Sequence, residues 1–303
     1  MTETWVAKTQ AEKIQETAAI KMDEILQKSV RQAKRRQSAT RITERRSDMS
    51  ERKKIAIVTG ASSGMGRAFV QQIMDKYRRL DEIWVIARRK DKLRELKKEI
   101  IGTRVRILPL DLMKEESFER LRKVLAKERP TVRILVNASG FGISGSFEHQ
   151  TEEDAAGMIR LNCEALTRVT YLVLPYVSRG SFIYQMASSA GFAPQPDFTV
   201  YAATKAYAKS FSIALRQELS GQEVKVIAVC PGPVKTEFFD RAYEQEEMKF
   251  YKKFAMADPK RVVSKAIRDA RKNKAVSVYG FTMKTTRIIC KILPGKWIAK
   301  IMG

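Results

Sequence analysis

A glycine-rich turn, Thr59-Gly60-Ala61-Ser62-Ser63-Gly64-Met65-Gly66-Arg67, follows an apolar run at 55–59 and opens a stretch of helical periodicity. Small residues at such a turn let the main chain approach a pyrophosphate, which then rests on the first amides of the helix. Many three-glycine turns are only tight turns. The position between a first strand and a helix makes this one a dinucleotide site built from Gly60, Ser62, Ser63, Gly64, Met65 and Gly66. The second apolar run ends at Ala87, where an NAD site usually carries an acid for the ribose hydroxyls, and Arg88 and Arg89 follow it. A guanidinium suits the 2′-phosphate of NADP, so NADP(H) is the expected cofactor and Arg88 its phosphate ligand. The bland alternative is a solvated basic loop, since Lys90 and Lys92 continue the run.

Ser188, Tyr201 and Lys205 form a second group. Tyr201 and Lys205 are four apart in a helix-patterned stretch and project from one face, and Ser188 precedes Tyr201 by thirteen residues, just after an apolar run at 180–186. Alone, a Tyr and a Lys four apart are an exposed helix face; the glycine turn upstream gives the pair its weight. Ser188 as a hydrolase nucleophile would need a base, and the one histidine, His149, lacks a motif context and reads as a surface loop residue.

These groups need a scaffold, and the pattern supplies one. Short β-branched runs at 55–59, 82–87, 104–109, 132–136, 180–186, 224–229 and 275–279 predict buried strands. Between them lie helical stretches with charged outer faces, such as 90–100 and 115–128. Strand–helix alternation predicts an α/β protein: a doubly wound parallel Rossmann sheet of about seven strands with helices on both faces, in a single domain. The expected organisation is a polar basic extension over 1–48, helical in part or loose, a catalytic domain over 49–280, and a basic amphipathic tail over 281–303. Met49 stands directly before the polar lead-in to the first strand, so the residues ahead of it read as an appendage or an over-extended start.

From about residue 50 to residue 280 the chain closely resembles the short-chain dehydrogenases/reductases, specifically their NADP-preferring branch. Thr59-Gly60-x3-Gly64-x-Gly66 resembles the cofactor turn of that family, and Asp111 its adenine-contacting acid. Asn137-Ala138-Ser139-Gly140 is similar to the fourth-strand Asn-Asn-Ala-Gly motif, with Ala138 and Ser139 as departures that touch local hydrogen bonding more than chemistry. Asn162, Ser188, Tyr201 and Lys205 match the catalytic tetrad, and Pro231-Gly232-x-Val234-x-Thr236 the segment around the nicotinamide. The resemblance implies hydride transfer between nicotinamide and a carbonyl or secondary alcohol, without a metal. Ser188 would hydrogen-bond the carbonyl oxygen and Tyr201 would donate the proton. Lys205 would lower the phenol's pKa from about 10 and bond the nicotinamide ribose, and Asn162 would hold a water leading from Lys205 to solvent. It also implies a homo-oligomer formed through the helices that carry Asn162 and Tyr201.

Substrate choice falls to loops at the strand C-termini, which supply Phe141, Ile143, Phe147, Phe192, Pro194, Phe198, Phe238 and Phe239. The stretch 238–256 adds Tyr243, Met248, Phe250, Tyr251, Phe254 and Met256. That lining suits a hydrophobic ketone, steroid-like or a 3-oxoacyl chain, although any one of these aromatics can equally be core or interface. In the tail, Lys284, Arg287, Lys291, Lys296 and Lys300 alternate with aliphatics and Trp297. Such a segment either packs on its own protein or makes a peripheral membrane contact, and Pro294-Gly295 breaks it as a single helix.

The bulk numbers bound the rest. At 303 residues with 44% apolar content the chain can bury a large core. No apolar run reaches the roughly 18 residues of a membrane span, and the N-terminal residues lack the pattern of a secretory signal. Three cysteines, Cys163, Cys230 and Cys290, have no metal spacing and suit a reducing cytoplasm. A net charge of +24 favours anionic partners, yet no nucleic-acid motif accompanies it and no nucleic-acid role is expected. The rival readings are an NADPH-binding regulator without turnover, or a membrane-associated protein on the same fold.

Overall fold

The structure, a computed structural model, describes residues 52–77, 79–243 and 256–302. The N-terminal extension expected over 1–48 lies outside the described residues, as do Met248, Phe250, Tyr251 and Phe254. The strands are β1 Lys54–Thr59, β2 Glu82–Ala87, β3 Arg104–Pro109, β4 Thr131–Asn137, β5 Val177–Met186, β6 Lys225–Val229 and β7 Val276–Ser277. All pair in parallel, in the order β3-β2-β1-β4-β5-β6-β7. The helices are α1 Gly64–Lys76, α2 Lys90–Glu99, α3 Glu115–Glu128, α4 Glu152–Ile159, α5 Ala165–Val173, α6 Thr199–Glu218, α7 Glu237–Ala242, α8 Pro259–Arg271, α9 Phe281–Ile292 and α10 Gly295–Met302. This is the doubly wound arrangement that the strand–helix alternation predicts.

Alternate residues of one strand feed opposite layers, because successive side chains point to opposite faces. Ala56 and Val58 of β1 pack with Phe69 and Ile73 of α1, Leu93 and Leu96 of α2, and Val263 and Ile267 of α8. Ile55 and Ile57 pack on the other face with Leu121 and Leu125 of α3, Val169 of α5 and Leu215 of α6. Burial on both faces explains why the interior strands read as continuous apolar runs rather than alternating ones. Burying each of the Val, Ile, Leu and Phe side chains contributes about 1.5–3 kcal/mol.

Local chemistry sets the boundaries. Thr151 caps α4 by accepting the Asp154 N–H at 3.1 Å. Asp258 caps α8 by accepting the Lys260 N–H at 2.7 Å, with Pro259 in the first helical turn. β7 is shorter than the run at 275–279 suggests. Its two residues are anchored through Ser277, whose hydroxyl donates to the buried Asp269 carboxylate at 2.8 Å. Lys265 and Lys274 hold the same carboxylate at 2.6 and 3.0 Å. Beyond β7 the tail forms two helices, interrupted at Leu293 and Pro294. Among the described residues, no helix is long and apolar enough to cross a membrane.

Candidate active site

The strand order reverses direction between β1 and β4, and there the two connections leave on opposite sides of the sheet. A cavity of about 880 Å³ opens over the C-terminal strand ends, with the glycine turn at one end and Ser188, Tyr201 and Lys205 at the other.

At the glycine end, Gly60 and Gly64 have φ of +64° and +52°, which side chains rarely adopt. A Cβ on Gly66 would stand 2.2 Å from the Gly60 carbonyl oxygen, so α1 packs directly against the turn. Thr59 Oγ1 accepts the N–H groups of Ala138 and Ser139 at 3.1 and 3.2 Å, tying β1 to the loop after β4. Ser63, the N-cap of α1, makes no side-chain capping bond, and the first turn of α1 carries no acid. An open helix N-terminus of this kind attracts phosphate. The residues present therefore fit a dinucleotide.

The sequence singled out Arg88 for a 2′-phosphate, and both arginines line the cavity. Arg89 is the one aimed at the turn: its Nη2 donates to Ser63 Oγ at 3.0 Å and to Ser62 Oγ at 3.3 Å. The same atom pairs with Glu237 of α7 at 2.7 Å, and this bond holds the Glu237 carboxyl below its ordinary range. Sequence alone favoured Arg88 because it directly follows Ala87. The direction of an N-cap side chain is a property of the fold. Asp111 also lines the cavity, as do Pro231, Gly232, Val234 and Thr236.

Asn137 and Asn162 stand behind the wall rather than in it. The Asn137 amide donates to Thr170 Oγ1 and Gln185 Oε1, both at 2.9 Å, while Ala138, Ser139 and Gly140 form the cavity surface. The Asn137 side chain thus braces β4, β5 and α5. Asn162 sits in a π-helical turn, Arg160–Glu164, that joins α4 to α5. Its amide brackets the Phe141 backbone, accepting the N–H at 3.1 Å and donating to the oxygen at 2.8 Å, and also donates to Thr204 Oγ1 at 3.0 Å.

At the other end, Ser188 caps a short helical turn, Ser189–Phe192, accepting the Ala190 N–H at 3.1 Å. This turn lies flat on α6: a Cβ on Gly191 would fall 2.5 Å from the Lys205 carbonyl carbon. Gly142 is equally tight, with a Cβ placed 2.7 Å from Tyr201 Cδ2. Neither glycine was legible as functional, since each is fixed by a close approach between segments distant in sequence. Tyr201 is buried between Phe198 and Phe238, with ring centroids at 4.3 and 5.3 Å. Lys205 Nζ lies 5.5 Å from the Tyr201 ring centroid and donates to the Met186 carbonyl at 2.9 Å.

Burial dominates the titration of both groups. It pushes the Tyr201 phenol up, with the Ser188 hydrogen bond pulling the other way, and it lowers Lys205 to about 8. In this geometry desolvation is the largest influence on the phenol, and the Lys205 ammonium is turned toward the Met186 carbonyl. Tyr201 is held protonated across the neutral range, which suits a proton donor.

Of the aromatics expected to line the cavity, Phe141, Phe198, Phe238, Phe239 and Tyr243 do so. Phe147 is exposed, and Phe192 packs under Lys209 instead. Gln195 and three residues of α9, Thr282, Met283 and Thr286, were not anticipated in the lining. Met283 packs where Gly232 leaves room, since a Cβ there would lie 2.7 Å from its sulfur.

A family model described as short chain dehydrogenase matches residues 54–247. The NADP-dependent 3-hydroxy acid dehydrogenase YdfG of Escherichia coli O6:H1 is 32% identical over 204 residues, 66% of this chain and 81% of that protein. Sulfoacetaldehyde reductase 2 of Chromohalobacter salexigens is 33% identical over 189 residues, 61% of this chain and 74% of that protein. A short-chain dehydrogenase from Sphingobium yanoikuyae, solved in complex with NADPH, is similar with a TM-score of 0.67 and 25% identity, over 80% of this chain and 96% of that one. The cavity joins a glycine cradle to a Ser-Tyr-Lys cluster on a parallel seven-stranded sheet, and with these matches the chain belongs to the short-chain dehydrogenase/reductase family of oxidoreductases.

Proposed function

We propose that the protein is an NADP(H)-dependent carbonyl reductase/alcohol dehydrogenase acting on a hydrophobic ketone. The reading is carried by the convergence of Ser188, Tyr201 and Lys205 at one end of a cavity whose other end holds the glycine turn and Arg89. When bound, the nicotinamide supplies the hydride. Ser188 then donates a hydrogen bond to the carbonyl oxygen, and Tyr201 delivers the proton to that oxygen. With the cofactor bound, Lys205 would hold its ribose and return a proton from solvent to the Tyr201 phenolate, while Asn162 keeps the Phe141 backbone and α6 in register.

Arg89 supports the choice of cofactor, standing where a 2′-phosphate beside Ser62 and Ser63 would meet it. Arg89→Gln is expected to weaken NADPH binding by roughly 10–100-fold, the worth of one charge-assisted contact, and to leave NADH within about twofold. Arg88→Gln is expected to do less. Fluorescence titration of both variants with both cofactors is the check, and equal losses for NADPH and NADH would count against a phosphate role.

Among the described residues, the substrate end presents Phe141, Phe198, Phe238, Phe239, Tyr243 and Met283, and its only cation is Lys205. The two relatives described above are named for anionic compounds, a 3-hydroxy acid and sulfoacetaldehyde, an aldehyde that carries a sulfonate. Among the described residues a carboxylate or sulfonate at this end would meet no cation besides Lys205, and burying it unpaired is costly. Apolar ketones are therefore expected to turn over faster than keto acids of matched length, measured by NADPH absorbance. Faster turnover of the keto acids would overturn the apolar reading and leave the hydride chemistry standing. The outer faces of α4, α5 and α6 expose Ile159, Tyr171, Tyr207 and Ile213, which supports self-association through these helices.

A further inference from the structure

We infer that α9 and α10 form a docking surface for an anionic lipid membrane. Among the described residues, the two helices carry most of the strongly exposed large apolar side chains: Phe281, Ile288 and Ile292 on α9, and Trp297 and Ile301 on α10. Phe281 is 84% exposed, Ile292 75% and Ile301 74%. At about 100° per residue, Phe281, Ile288 and Ile292 fall within roughly 40° of one another on α9. Lys284 and Lys291 run along one flank of that stripe, and the opposite side carries Thr282, Met283 and Thr286, which line the cavity. α10 repeats the arrangement in shorter form. Trp297 and Ile301 are four apart, Lys296 and Lys300 flank them, and Ile298 is buried on the inner side.

The charge identifies the occupant. From residue 270 to 303 there are eight Lys or Arg and no Asp or Glu. A second copy of this chain would bring the same cations face to face, in a protein already at +24. A nucleic acid would neutralise the lysines but leave Ile288, Ile292 and Ile301 without an apolar partner. An anionic bilayer satisfies both: aliphatic and aromatic side chains enter the acyl boundary while the flanking lysines stay with the headgroups. The break at Leu293 and Pro294 is compatible with this, because each helix is amphipathic by itself and lies in the interface rather than crossing it. At about 1.5 Å per residue, α9 spans well under the roughly 30 Å of a hydrocarbon core.

The test uses the full-length chain, since removing α9 would also remove cavity wall. Co-sedimentation is measured with vesicles of phosphatidylcholine alone and of phosphatidylcholine mixed with phosphatidylglycerol, at low and high sodium chloride. The wild type is expected to pellet with the anionic vesicles only, and less so at high salt. The double variant Ile292→Ser/Ile301→Ser is expected to lose about tenfold or more in partitioning, and Lys291→Gln/Lys300→Gln a similar amount. Both variants should keep the wild-type Tm and ketone turnover, because these side chains are exposed and away from the cavity. A wild type that stays in the supernatant would overturn the proposal. So would variants that pellet as well as the wild type, since the attraction would then lie elsewhere on the chain. If no form pellets and the Ile variant elutes as a smaller species than the wild type, the surface is an interface between copies instead.

Discussion

Tyr201→Phe is expected to lower the rate of ketone reduction by about 10²–10⁴-fold, the usual worth of a positioned proton donor, while leaving the fold intact. The ring stays in its aromatic cluster with Phe198 and Phe238, so core packing is kept and only the hydroxyl is lost. NADPH binding should survive, because Arg89, the glycine turn and Lys205 are untouched. Its pH dependence gives a second readout. Lys205 carries its proton below about 8 and loses it above. Affinity for the polyanionic cofactor should therefore be level below that pH and fall above it, in the wild type and in Tyr201→Phe alike. Stopped-flow reduction paired with fluorescence titration across this range is the check. A variant retaining more than about a tenth of the wild-type rate would remove Tyr201 from the chemistry.

Gly66→Ala is expected to be nearly as damaging, by a different route. The new Cβ would lie 2.2 Å from the Gly60 oxygen and 2.6 Å from its carbonyl carbon, both backbone atoms that no rotamer change can move. Either the turn or α1 must shift, at a cost of about 1–3 kcal/mol. For a domain of this size that is roughly 2–12 °C of Tm. The same shift misaligns the amides that face the pyrophosphate, so the thermal stabilisation by NADPH should shrink or vanish. Differential scanning fluorimetry with and without NADPH measures both effects. An unchanged Tm with a full NADPH shift would mean that the close contact is not required.

Much of this protein is decided locally and is therefore readable in one dimension. The β-branched runs, the charged helical stretches between them and the glycine turn specify a doubly wound sheet, because period and turn chemistry are properties of neighbouring residues. Ser188, Tyr201 and Lys205 are legible for the same reason: two share a helix face and the third follows a strand, and the topology then brings strand end and helix together. Where local sequence does not decide, the deciding contact joins distant segments. Arg89 rather than Arg88 faces the turn because Ser62, Ser63 and Glu237 meet there in space. Asn137 turns to Thr170 and Gln185, partners supplied by α5 and β5. Gly142 and Gly191 matter only through approaches to Tyr201 and Lys205 that no spacing rule encodes. The pKa values of Tyr201 and Lys205 are likewise set by tertiary burial, since desolvation depends on everything packed around a group rather than on its sequence neighbours.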